Sequence, residues 1–181
     1  MTVIASSLSA RLNTGCTALL VLMLSFGMSG CGAYSFSGAT IPSDIETIAI
    51  PLVDDRSTSP FSALGNDLTD LLIDRFVNQT RLSLTTDDAN ADARLNVIIQ
   101  GYSNEPTTVG ANERATANRV TINVQVEYLD QVNDEVFLSR SFSGSSDYSP
   151  ANDDIQGSEE ATQRALSDLA DDIFSQATSN W

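Results

Sequence analysis

Positions 120–128 alternate without a break. Val120, Ile122, Val124, Val126 and Tyr128 are apolar or aromatic, and Thr121, Asn123, Gln125 and Glu127 between them are polar. A period of two sends the two sets to opposite faces, so this segment is predicted to be a strand with one covered face and one wet or partner-facing face. Leu95, Val97 and Ile99 alternate in the same way against Asn96 and Gln100, with Ile98 suggesting burial on both faces there. The polar segment from Asn104 to Asn118 holds Pro106 and Gly110, and reads either as a mobile loop or as an extension of both strands into a protruding hairpin. Asn133-Asp134 is a turn signal, and it predicts a second hairpin whose far arm starts at Val136-Phe137-Leu138 and continues through Phe142 and Tyr148.

Earlier in the chain, Ile48-Ala49-Ile50-Pro51-Leu52-Val53 reads as a short buried strand. Pro51 has no N–H to give a ladder, so that part is expected at an edge or a strand end. Asp54-Asp55-Arg56-Ser57 is then expected to break it. Phe61, Leu64, Leu68, Leu71, Leu72 and Phe76 recur at spacings of three and four, the signature of an amphipathic helix opening at Ser59-Pro60 and ending near Asn78. A short strand over Arg81 to Thr86 is expected next. The last helix is expected to be capped by Ser158, with Glu159 and Glu160 in its first turn and Leu166, Leu169, Ile173 and Ala177 as its apolar stripe. Two helices with narrow apolar faces need a shared surface. The predicted fold is therefore a two-layer α+β domain, with both helices on one face of a mostly antiparallel sheet of four or five strands.

The N-terminal region has a different pattern. Arg11 precedes an apolar run from Cys16 to Met28, followed by Ser29-Gly30-Cys31. That order is the layout of a secretory signal whose cleavage leaves a cysteine first in the mature chain, the attachment point for lipid in bacterial lipoproteins. A transmembrane anchor needs about 20 predominantly apolar residues, and glycines and serines crowd both ends of this shorter core. A buried thiol at Cys31 is the other alternative. The reading adopted is a signal peptide over 1–30, a lipidated tether over 31–45 and one domain over 46–181, with Cys31 as the lipidation site. Gly32, in place of an aspartate, favours the outer membrane over the inner.

Charge narrows the partners. All nine basic residues are arginines, and without Arg11 the remaining eight face 24 carboxylates, a net charge of −16. Nucleic acid and a purely electrostatic hold on anionic lipid both require basic patches and are not expected. An acid-rich, lysine-free surface suits concentrated salt, where charge repulsion is screened within about 3 Å at 1 M.

Catalytic chemistry finds little support. The chain has no histidine, and its two cysteines are Cys16 in the signal and Cys31 at the lipid site. The usual general base, thiol nucleophile and soft metal ligands are therefore missing from the domain, and no enzyme activity, cofactor or metal is expected. Asp88, Asn90 and Asp92 have the alternate spacing that opens a calcium loop, but Ala93 and Ile99 stand where glycine and glutamate are required, so a solvated turn is the better reading.

Several segments resemble one family. Cys31-Gly32-Ala33-Tyr34-Ser35-Phe36-Ser37-Gly38, Ile41-Pro42 and Ile45-Glu46-Thr47-Ile48-Ala49-Ile50-Pro51 are similar to the opening of LptE, the lipopolysaccharide-assembly lipoproteins. Gly101-Tyr102-Ser103-Asn104-Glu105-Pro106, the Phe142-Ser143-Gly144 exit and the acidic last helix also suit it. The resemblance spans the mature chain, but its motifs are structural. It implies two helices against a sheet, and an outer-membrane lipoprotein, facing the periplasm, that acts as plug and assembly partner of the β-barrel LptD in lipopolysaccharide transport. Basic residues contact lipopolysaccharide in some members, and Arg114 and Arg119 are the corresponding weak candidates here. The competing class is an envelope lipoprotein that binds a glycan, peptidoglycan or another secretion component.

Overall fold

The unbroken alternation at 120–128 becomes the centre of a mixed sheet. The computed structural model describes residues 41–109, 115–150 and 154–179. Its strands are β1 Thr47–Ala49, β2 Asp54–Asp55, β3 Ser83–Leu84, β4 Ala93–Val109, β5 Ala115–Asp130 and β6 Glu135–Tyr148; its helices are α1 Leu64–Asn78 and α2 Asp154–Ser179. The strand order is β3-β1-β4-β5-β6, with β2 also paired to β4.

Val120, Ile122, Val124, Val126 and Tyr128 are all fully buried on the helix side of β5. Across the antiparallel ladder, Leu95, Val97 and Ile99 of β4 face Tyr128, Val126 and Val124. The register then shifts between Ile99 and Gly101, so Tyr102 lies opposite Ile122 and its ring falls on the helix side. There it meets Phe61 edge-on, with ring centroids 6.1 Å apart.

Both helices lie against this face. α1 buries Leu64, Leu68, Leu72 and Phe76, and α2 buries Ala161, Ala165, Leu166, Leu169, Ala170 and Ile173. Each large apolar side chain contributes about 1.5–3 kcal/mol on burial. Phe76 packs on Tyr128 and on Phe174, at centroid distances of 5.9 and 5.3 Å, joining sheet and both helices. The helices run parallel: Gln163 donates to Asp67 at 2.8 Å, and two turns further Arg75 pairs with Asp171.

The two-helix α+β architecture agrees with the sequence pattern; the sheet differs in two respects. Among the described residues it has six strands, not four or five, and only β4, β5 and β6 are antiparallel, since β1 pairs in parallel with β3 and β4, and β2 with β4. The parallel pairs follow from α1, which carries the chain over one face so that β3 re-enters beside β1 in the same direction. Hydrophobic periodicity carries no information about that direction.

Local expectations also shift. Asp54-Asp55 does not end the pairing; as β2 it pairs with Ile98-Ile99, and Arg56 N donates to Ile99 O at 2.9 Å. The break falls earlier, at 50–53, where Pro51 offers no N–H and Val53 N turns to Thr69 Oγ1 at 3.0 Å. Ser59 does not cap α1; its Oγ accepts from Phe61 N at 3.0 Å in a preceding turn, and the helix starts at Leu64. Ser158 lies inside α2, its Oγ donating to Ile155 O at 2.9 Å. The strand expected over Arg81 to Thr86 is confined to Ser83–Leu84. Of the two readings for Asn104 to Asn118, the hairpin holds: β4 and β5 continue as a two-stranded ladder beyond Asn118↔Tyr148, where β6 stops, with 110–114 outside the described residues.

Candidate functional site: an uncharged polar sheet face

The helices leave the second sheet face open. On β5 it carries Thr121, Asn123, Gln125 and Glu127, partly or fully exposed, and on β6 the exposed Ser139, Ser141, Ser143 and Ser145. Register places Thr121 beside Ser145, Asn123 beside Ser143 and Gln125 beside Ser141, whose hydroxyl donates to the Gln125 amide oxygen at 2.8 Å. In a chain of net charge −15, the middle of this face is free of charge on β5 and β6. On these two strands the fixed charges stand at the ends, Glu127 at one and Arg119 with Asp147 at the other, while beyond β4 the exposed pair Asp54–Arg56 stands beside Ile98. Charge depletion at the centre is one feature that docking surfaces share, although the serines and the lack of aromatic side chains on this face of the two strands are not.

Arg119 grips Asp147 with two parallel bonds, Nε to Oδ1 at 2.6 Å and Nη2 to Oδ2 at 2.8 Å. Those hydrogen bonds hold the Asp147 carboxyl below, and the Arg119 guanidinium above, their ordinary values. The second candidate arginine, Arg114, and the lipidation candidate Cys31 lie outside the described residues. The structure therefore places one predicted site residue, already matched by a carboxylate of this chain.

Two polar clusters fix the ends of the domain, and periodicity gives no sign of either. At the base of the β4–β5 hairpin the Tyr148 hydroxyl accepts from Asn104 Nδ2 at 2.8 Å and Asn118 Nδ2 at 3.1 Å, and donates to Asp154 Oδ1 at 2.8 Å. One phenol thus ties β4, β5 and β6 to the start of α2. At the opposite end, Arg81 donates to Ile41 O at 3.1 Å, and Asn133 Nδ2 in the β5–β6 turn donates to Asp44 at 3.1 Å. Ile41 and Ile45, assigned to the tether by sequence, are buried in the core there.

Asp88, Asn90 and Asp92 do not converge. Asp92 Oδ2 accepts from Glu46 N, Thr47 N and Thr47 Oγ1 at 2.9–3.0 Å, Asp88 pairs with Arg94, and Asn90 donates to Asp87. Between the N-terminal turns of the helices, an open groove of about 250 Å³ is lined by Phe61, Asp67, Glu159, Thr162 and Gln163, and the Gln163–Asp67 bond joins two of these. Among the described residues no cluster of metal-ligating side chains occurs, and no helix is long and apolar enough to cross a membrane. The serine series is legible as a period-two run from 139 to 145, and only its face comes from the fold.

Known proteins place this architecture. The fold is shared with a neuraminyllactose-binding hemagglutinin homolog from Helicobacter pylori (10% identity, 80% of this chain and 89% of that chain covered, TM-score 0.56). It is also shared with a hypothetical protein from Chlamydia trachomatis (13%, 75% and 99%, TM-score 0.53). A third relative in fold is lipoprotein B from Nitrosomonas europaea (14%, 83% and 91%, TM-score 0.51). At such identities the likeness is one of fold alone. No curated protein matches the chain's sequence. The family model described as lipopolysaccharide-assembly matches residues 45–177, the whole of the two-helix, six-strand body apart from its ends, and the chain belongs to the LptE family.

Proposed function

We propose that this protein is an outer-membrane lipoprotein, acylated at Cys31, that works without catalysis as the plug and assembly partner of an LptD-like β-barrel in lipopolysaccharide transport. Family membership over 45–177 is the observation that carries this reading. The uncharged face of Ser139, Ser141, Ser143, Thr121 and Asn123 supports it, because the lumen of a large outer-membrane barrel is polar and water-filled.

Chain geometry supplies an orientation. Ile41 is ten residues from Cys31, a reach of at most about 35 Å, and it docks at the end that holds the β5–β6 turn. Val132 and Val136 at that turn are half exposed. β5, 16 residues and roughly 50 Å long, separates that turn from the β4–β5 hairpin. In this reading the turn end faces the acyl-bearing leaflet and the β4–β5 hairpin points away from it. Each buried methylene of an acyl chain contributes about 0.8 kcal/mol to the anchor. Arg119 acts as the partner of Asp147, and the reading requires no phosphate contact from it or from Arg114.

A depletion strain tests the role. Loss of surface lipopolysaccharide together with defective maturation of the barrel is expected. A cell-wall or secretion defect with normal surface lipopolysaccharide would assign the protein to the competing class of envelope lipoproteins.

A further inference from the structure

The two edges of the sheet are unequal. One ends in β3, two residues long, beside a β1–β2 line broken at Pro51; the other is β6, which runs 14 residues. Natural edges are blunted by lysine, proline or a covering element, since their unpaired N–H and C=O groups template further pairing. β6 contains no proline, its charges are Glu135 and Asp147 near its ends and Arg140 on the helix side, and among the described residues no strand pairs with its outer side.

The ladder determines which groups point outward. Gln131 N donates to Asp92 O at 2.8 Å beside the Ala93–Asp130 pair, which marks that pair as one that exchanges no bonds of its own. Asp130, and every second residue back along β5, therefore turns its backbone toward β6. The facing residues Arg140, Phe142, Gly144 and Ser146 are bonded inward, and Ser139, Ser141, Ser143, Ser145 and Asp147 turn N–H and C=O outward. Asp147 O accepts Arg164 Nη2 at 3.4 Å, in agreement with that direction.

We propose that the outer edge of β6 over Ser139–Ser145 is completed, main chain to main chain, by an extended segment of the barrel partner. The proposal rests on the functional reading above and adds the mode of docking. Charge selects the occupant. Two copies of a chain at −15 repel each other, whereas the outward-bonding Ser139, Ser141, Ser143 and Ser145 carry no charge, and Arg140 between them faces the helix side and donates to Gln176, so the edge suits a neutral strand. The wall strands of a closed barrel are already paired on both sides, so the segment lies outside that closed ladder. Main-chain bonds then supply the affinity, with side-chain pockets secondary.

The test places a photo-crosslinking amino acid at Ser143 in the full-length lipoprotein in intact cells. A crosslink to an extended segment of the barrel partner is expected. A crosslink to a second copy, or none, overturns the edge proposal. Ser141→Pro with Ser143→Pro removes two outward N–H groups, while Ser141→Ala with Ser143→Ala keeps them. The proline pair should lower barrel recovery about ten-fold or more below that of the alanine pair, which loses the same two hydroxyls but keeps both N–H groups. Equal recovery from both pairs overturns edge docking and leaves the functional reading standing. Absence of the barrel from the wild-type capture overturns both.

Discussion

Gly144 of β6 lies directly beneath Leu169 of α2. A Cβ on Gly144 would stand 2.5 Å from Leu169 Cγ and 2.4 Å from the carbonyl oxygen of Ala165, closer than real contacts allow. α2 sits this low because it presents Ala161 and Ala165 to the sheet. Gly144→Ala must push the helix off β6 and should cost about 1–3 kcal/mol, as overpacking does. Gly101 is the control, since a Cβ there meets only Asn123 Nδ2 at 3.8 Å, and Gly101→Ala should cost less. Urea unfolding of the mature protein checks both.

Asp92 fastens β1 to the start of β4. The N–H of Glu46, then the hydroxyl and N–H of Thr47, hold its carboxyl below the usual carboxylate range. A carboxylate with a lowered folded pKa stabilises the fold above its unfolded value, and that contribution disappears as pH falls through the folded value. Asp92→Asn should therefore destabilise by about 1–3 kcal/mol at neutral pH, with the gap to wild type narrowing below about pH 4. Unfolding midpoints measured from pH 7 down to pH 2.5 test the sign; a constant gap would contradict it.

Tyr148→Phe removes the hydroxyl that serves Asn104, Asn118 and Asp154 while keeping the ring. The expected loss is about 1–3 kcal/mol, concentrated at the hairpin base and the first turn of α2. Amide hydrogen exchange should accelerate near Asn104, Asn118 and the start of α2, and stay unchanged around Val124 and Leu166.

Arg119→Ala breaks a bidentate pair, but both partners are about half exposed. Solvent screens such pairs, so the unfolding midpoint should match wild type within error. The same variant should leave lipopolysaccharide delivery intact, because its guanidinium is engaged by Asp147 rather than held free for a phosphate.

The elements that strict periodicity carries are legible in the order of residues alone: β5 from its alternation, and α1 and α2 from their spacing. What escapes that pattern is set by contacts remote in sequence. Ser158 has the residue type and flanking acids of a helix cap, yet α2 begins at Asp154, whose carboxylate is tied to Tyr148, and Ser158 becomes an interior residue. Asp54-Asp55 looks like a strand breaker, but edge pairing uses only the backbone and lets both side chains face water. The parallel pairing of β1 depends on the path of α1, which no local pattern encodes. Of the predicted site residues, Arg119 is visible as a basic residue beside the polar segment; its partner, 28 positions away in Asp147, is not.

The proposed function requires that a barrel partner hold this domain by its polar surfaces. Affinity capture of the full-length protein from detergent-solubilised outer membranes, with mass spectrometry of both bait and prey, tests it most directly. An acylated N-terminal Cys31 and one large outer-membrane barrel at near-equal abundance to the bait are expected. Recovery of the bait alone, or with an unmodified Cys31 thiol behind an intact leader, would contradict it.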